Sequence, residues 1–381
     1  MADVNLGDLV SEGVSPWLDG LDRRWIDSGW FAGAVGPKSL HGATTTVTAL
    51  IDSLTTTDGP DPHARPLHRL LDQGADPDTA AEALAAAVAR AAADALREVH
   101  LHSGGQDGHV SVDIPATAAG HARTAEVAGM RAAALLRRPN TMVALPATPA
   151  GLAATRRCLA RGIGVHATDV YSTTRYRQVV EAYFDGLTAA RTAGLDLSTI
   201  PSLVGVPIGR LDEAVDTRLR ARPAAPLPGS AGLATARLLY HEYERSLGGD
   251  RWRALHAAGA RKQRLLWHTA PGAVGRVVGW GTATALPRTA LDTPGELFGD
   301  TLLGEHTTAQ AVLDELRGTG VDPDAIARQL EREAAHRATR DWHRLIRLLH
   351  DRLTNPTPTH PRLTTPVHSD VSRPREGEPR A

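Results

Sequence analysis

Short apolar runs alternate with longer stretches of helical period almost from end to end of the chain. The strand-like runs are Ser15–Asp19, Leu40–Thr46, His109–Ile114, Thr141–Ala147, Gly164–Val170, Ser202–Ile208, Gln263–Thr269 and Arg276–Trp280. Between them, Thr79–Val99, Ala122–Leu136, Pro149–Ala160, Thr174–Ala193 and Gly232–Leu247 carry the spacing of amphipathic helices. Strands alternating with helices predict a parallel sheet with crossover connections. Eight strands in one run favour a closed (β/α)₈ barrel over an open sheet. No G-x-G-x-x-G follows the first strand, which argues against a dinucleotide-binding fold.

Two regions stand apart from this alternation. Ala309–Leu353 reads as terminal helices packed on the outside of the barrel, with His336, His343 and His350 on a solvated face. Residues 355–381, rich in proline, threonine and charge, cannot bury enough apolar surface to offset ordering entropy and read as a disordered tail. Residues 1–354 then form one domain. The PDPHARP segment near position 60 reads as a loop.

Composition narrows the partners. A net charge of −1 over 381 residues argues against a general nucleic-acid binder. No apolar run is long enough to span a membrane, and the amino terminus is polar and acidic, so neither a span nor a secretory signal is expected. The one cysteine, Cys158, rules out a disulfide framework; it reads as a small buried hydrophobe, and a cytoplasmic setting fits. Among the 42 basic residues only Lys38 and Lys262 are lysines.

Four phrases then carry a resemblance: SPWLDGL (Ser15–Leu21), RPNTMVALPATPAGL (Arg138–Leu152), GIGVHATDVYSTTRYRQVVEAYFDGL (Gly162–Leu187) and YERSLGGDRWRALHAAGARKQRLLW (Tyr243–Trp267). In this order and spacing the chain resembles the bacterial transaldolase family from about Pro16 to Leu316. The resemblance implies a transaldolase-type (β/α)₈ barrel (a TIM barrel) with extra C-terminal helices. It also implies functional positions, only some of which are kept. The first-strand aspartate matches Asp19. The second-strand Thr-Thr-Asn-Pro phrase reads Thr44-Thr45-Thr46-Val47, which loses its asparagine. The third-strand glutamate matches Asp113, and the Schiff-base lysine falls on Ala144. On the fifth strand an asparagine is replaced by His166 and a threonine is kept as Thr168. On the sixth, serine becomes Gly205 and arginine is kept as Arg210. The lysine that closes the seventh-strand phrase falls on Ala273.

A transaldolase uses an amine nucleophile to form an iminium. Ala144 has none, and Lys38 and Lys262 immediately precede strands two and seven, at the barrel face opposite the strand C-terminal ends where such sites lie. With Thr46, Ala144, His166, Gly205 and Ala273 replacing polar groups, the mouth is expected to take a phosphorylated or diphosphorylated metabolite with fewer hydroxyls than a sugar phosphate. The reaction expected is acid–base lyase, isomerase or cyclase chemistry in specialised biosynthesis; the alternative is a non-catalytic barrel that binds a ligand or partner. Asp19, Asp113 and His166 are the candidate catalytic groups, His166 as general base. Against that, His166 could merely fill space and bond Asp113. Thr45, Thr46, Ala144, Thr168, Arg210 and His268 are the candidate substrate-binding positions. Arg210 offers a planar cationic fork for phosphate, or a rim salt bridge with Asp212. Mg²⁺ held by Asp113, His166 and Asp169 is a further option, disfavoured because strand alternation turns Asp169 off the His166 face. A homo-oligomer is left open.

Overall fold

The computed structural model describes residues 6–354 apart from 37–38, 57–58, 60, 221–227, 270–272 and 293–298. The tail from 355, Lys38 and part of the PDPHARP segment thus lie outside the described residues. The last residues of that segment, Ala64–Pro66, are not loop; they open the helix Ala64–Asp72.

Eight strands close into one parallel barrel in sequence order, with β8 returning to β1. They are β1 (Ser15–Leu18), β2 (Gly42–Thr45), β3 (His109–Asp113), β4 (Thr141–Pro146), β5 (Val165–Thr168), β6 (Ser202–Val206), β7 (Arg264–His268) and β8 (Ala283–Leu286). The first seven lie inside the expected runs. The eighth does not: Arg276 ends the 3-10 turn Val274–Arg276, and Val277 and Val278 are buried in the outer core clusters. Apolar character there reports burial of a loop, whereas the true strand is ATAL, with small inward residues.

Those small residues follow from packing inside the barrel. Trp17, Met142, Leu203, Leu266, Ala283 and Ala285 meet in one interior layer. Trp17 is so large that a Cβ on Gly42 would lie 2.2 Å from its ring, which requires glycine on β2. This layer is the floor of the site, as expected for a barrel filled by stacked side-chain layers. Below it Arg264 donates to Asp107 (2.6 Å), Ser15 Oγ (2.7 Å) and the Thr282 carbonyl (2.6 Å), closing the N-terminal end with buried, fully engaged polar groups.

At the other end, the exits of β2, β4 and β5 lead into helices with side-chain caps. Thr46 Oγ1 accepts the Ala49 N–H, Thr148 Oγ1 the Gly151 N–H and Ser172 Oγ the Arg175 N–H. Each cap satisfies a donor that the first helical turn cannot pair, and so fixes where the helix leaves the barrel mouth.

The terminal region forms the helices His306–Gly318 and Pro323–Thr354. Ile326, Ala327 and Leu330 pack with Leu211 and Val215 of the helix Ile208–Leu219. Trp342, Leu345 and Leu349 pack with Leu50, Ile51 and Leu54 on the far side of the barrel. The long helix is therefore anchored at both ends. Its middle, including Ala334, Ala335 and Ala338, borders the mouth rather than lying wholly outside it, as the sequence led us to expect. His336, His343 and His350 do face outward, exposed. No helix among the described residues is long and apolar enough to cross a membrane. Cys158 is buried in the outer core, where burial pushes its thiol up to about 11.

Candidate active site

Alternate residues of each strand point inward, so the layer above the floor is set by Asp19, Thr44, Ser111, Asp113, Ala144, His166, Gly205 and His268. They line a cavity of about 910 Å³ that opens at the strand C-terminal ends. Parallel register places Asp113 beside Ala144 and Ala144 beside His166.

One pair dominates the electrostatics. His268 Nδ1 lies 3.2 Å from Asp19 Oδ2, and Thr44 Oγ1 donates to Asp19 Oδ1 at 2.7 Å. Burial alone would raise the Asp19 pKa, but the adjacent His268, its hydrogen bond and that of Thr44 outweigh it and hold the carboxyl at about 2. Reciprocally, burial would lower His268, yet the Asp19 charge and hydrogen bond raise it above the ordinary histidine value. The Asp19 carboxylate thus favours the charged form of His268.

His166 behaves differently. It is 2% exposed, and burial, reinforced by the nearby His268, pushes it down to about 3. His166 therefore stays neutral at every ordinary pH, unlike the expected general base. Nor does His166 bond Asp113: its Nδ1 pairs with Ser111 Oγ at 2.9 Å.

Asp113 accepts the Val47 N–H at 3.2 Å, at the start of the helix Val47–Thr55. Burial still wins, helped by the charges of Asp169 and Asp19, and raises its pKa to about 6. Asp113 therefore keeps its proton up to about pH 6, well above the range of an ordinary aspartate.

Several expected positions need correction. Thr45 faces away from the cavity, its hydroxyl donating to the Ser111 carbonyl, and borders a separate apolar space of about 40 Å³ behind β2 and β3. Alternation puts Thr44 inside in its place. Thr46 does reach the mouth, though its side chain caps a helix. Thr168 and Ala144 line the cavity as expected. Asp169 lines it too: it follows the end of β5 with φ 61°, a left-handed turn that breaks the alternation and brings its carboxylate inward to Thr168 and Tyr171. Even so, no group of three acidic, histidine or cysteine side chains among the described residues is placed to hold a metal ion.

Arg210 stands exposed at the rim in the first turn of Ile208–Leu219, and Asp212 instead accepts the Gly232 N–H at 2.6 Å. A second arginine, Arg337 of the terminal helix, borders the same mouth and counteracts the rise that burial imposes on Asp169. Sequence reasoning missed Arg337 because nothing local marks a helix as crossing a barrel. Lys262 is exposed, two residues before β7, and no described residue lining the cavity is a lysine.

With this geometry in hand, the comparisons decide the family. The model of the transaldolase/fructose-6-phosphate aldolase family matches residues 16–349. The chain belongs to that family. It is 36% identical over 357 residues to transaldolase 1 of Streptomyces avermitilis, covering 90% of this chain and 94% of that one. It is 37% identical over 354 residues to transaldolase 1 of Streptomyces coelicolor, covering 89% and 92%. Against the transaldolase of Thermobifida fusca it is 36% identical over 358 residues, covering 90% and 96%.

These full-length relatives, all named transaldolases, overturn one expectation. A move to lyase, isomerase or cyclase chemistry on a less hydroxylated, diphosphorylated metabolite in specialised biosynthesis has no support among them. The non-catalytic alternative falls with it. Reading substrate class from lost side chains alone ignored how much of the family frame is kept.

Proposed function

We propose that this family member performs transaldolase-type aldol cleavage and transfer on a phosphorylated ketose of the fructose 6-phosphate kind. The observation that carries the reading is a family-length barrel whose mouth holds an acid, a base and two arginines. Arg210 and Arg337 form the anion end, where a phosphate meets planar, always-charged forks. Asp113 and the Asp19–His268 pair form the reacting end.

The step needs a base and an acid. A substrate hydroxyl loses its proton to His268 Nε2 as its oxygen becomes a carbonyl and the adjacent C–C bond breaks. The bonding pair passes into the three-carbon fragment as an enolate, whose oxygen takes the proton of Asp113. Addition to an aldose phosphate reverses each transfer. Asp19 orients His268 and stabilises its charged form, as a carboxylate does in other proton-relay pairs. A single buried cysteine suits a reducing, cytoplasmic setting.

Consumption of fructose 6-phosphate in the presence of an aldose phosphate tests this directly. Arg210→Ala and Arg337→Ala should each raise KM about tenfold or more, the value of a lost charge-assisted contact. Turnover of the wild type with KM indifferent to both arginines would remove the anion end, and absence of turnover would remove the reading.

A further inference from the structure

Nε2 of His166 is buried and has no hydrogen-bond partner among the described residues. A Cβ added to Gly205 would lie 2.6 Å from that nitrogen and 3.5 Å from Nε2 of His268. Both nitrogens therefore front one small volume above Gly205, in the wall of the cavity. Each ring is held from behind, His166 by Ser111 and His268 by Asp19. We propose that this notch is a hydroxyl-binding subsite, in which one substrate oxygen accepts from His166 Nε2–H and gives its proton to His268 Nε2. The assignment rests on the aldol reading above and deepens it, naming His166 and Gly205 as the residues that select and place the reacting hydroxyl.

The donor role of His166 follows from its surroundings. Among the described residues, the Ser111 hydroxyl hydrogen has no acceptor other than His166 Nδ1. Donation there leaves the ring hydrogen on Nε2, facing the notch. Burial keeps the ring neutral, so it donates without competing for the proton. His268, tied through Nδ1 to an ionised carboxylate, has Nε2 free to accept. A donor and an acceptor on one point in the cavity wall suit a hydroxyl, which needs both, and leave a deoxy carbon with two unpaired nitrogens. His166 and Gly205 are a matched pair. A histidine of this reach on β5 fits only where β6 carries no side chain, so any larger residue at 205 would push the ring out of the notch.

The test is ¹⁵N spectroscopy of the full chain with labelled histidines, the His166 and His268 signals assigned from His166→Gln and His268→Gln. Fructose 6-phosphate and the phosphate-free polyol glycerol should each shift both Nε2 signals. Inorganic phosphate, taken at the arginines, should leave them in place. Gly205→Ala, which fills the notch with one methyl, should weaken fructose 6-phosphate binding about tenfold or more without changing phosphate affinity. If fructose 6-phosphate binds while both Nε2 signals stay still, the subsite is overturned and the aldol reading stands. Glycerol moving both signals while fructose 6-phosphate fails to bind would leave the subsite standing and remove the aldol reading. If neither polyol moves either signal, the subsite is wrong.

Discussion

Asp113 and His268 are both shifted upward, the acid by burial to about 6 and the imidazole above its ordinary value by the Asp19 charge. In the reading above the working state has Asp113 protonated and His268 neutral. The rate should therefore follow a bell, falling on the alkaline side as Asp113 loses its proton and on the acid side as His268 gains one, with apparent values that belong to the pair. His268→Asn should lower kcat roughly 10²–10⁴-fold and remove one limb of that profile; a profile of unchanged shape would take His268 out of proton transfer. Asp113 also bears on stability. Its folded pKa lies above the usual unfolded value, so the folded state holds the extra proton, and stability falls as pH rises through the window from about 4 to 6. Asp113→Asn removes a buried charge while keeping shape. It should raise stability at pH 8 by on the order of 2 kcal/mol while depressing turnover, read from paired denaturant and rate curves. Much of the cavity lining was legible in the sequence, since Asp19, Asp113, His166, Thr168 and His268 all border it. The division of labour between the two histidines was not, because it depends on which ring has a carboxylate behind it. Thr45 was misplaced by matching a phrase without applying the two-residue alternation that selects Thr44.

Seven strands and most helices could be read from their patterns, because the strands are short apolar runs buried on both faces and the helices between them carry helical period. β8 could not: its Ala283 and Ala285 are small to make room for Trp17, and alanine carries little strand preference. The terminal helix was legible as a helix but not as a strap, since its two apolar ends dock on opposite sides of the mouth. Trp342 anchors one end, buried against Leu50 and Leu54 with its indole N–H donating to Asp78 at 3.1 Å. Trp342→Ala should cost about 3–5 kcal/mol of stability or, where only the strap detaches, raise KM for a phosphorylated substrate by moving Arg337. A variant with normal stability and normal KM would mean that the strap has no part in binding. The opposite end of the barrel makes a separate demand. Asp107, half-buried beneath the floor, is held well below the usual carboxylate range: desolvation opposes this, but the charge of Arg264 and bonds from His41 and Ser15 prevail. Its contribution is full above the unfolded aspartate value and is lost as pH falls through and below it. Asp107→Ala should cost about 3–5 kcal/mol, because Arg264 would be left buried without its partner; a loss below about 1 kcal/mol at pH 7 would show the pair to be dispensable.

For the molecule as a whole, the floor layer and the Arg264 cluster seal one end. The strand C-terminal ends gather the reactive groups, and the terminal helix brings a second cation to the opening. The family model covers this barrel, residues 16–349. The division into a stabilising end and a working end separates mutations that unfold the chain from those that silence it. The central claim is that this mouth carries out aldol transfer on a phosphorylated ketose with Asp113 and His268 as its proton donor and acceptor. The most direct measurement is ¹³C spectroscopy of the purified full chain with fructose 6-phosphate labelled at C1 and an aldose phosphate acceptor of different length. The account predicts that label appears in a new ketose phosphate, at a rate that collapses in His268→Asn and Asp113→Asn while both variants remain folded. Label that stays in fructose 6-phosphate with the folded wild type, or transfer that continues undiminished in both variants, would contradict it.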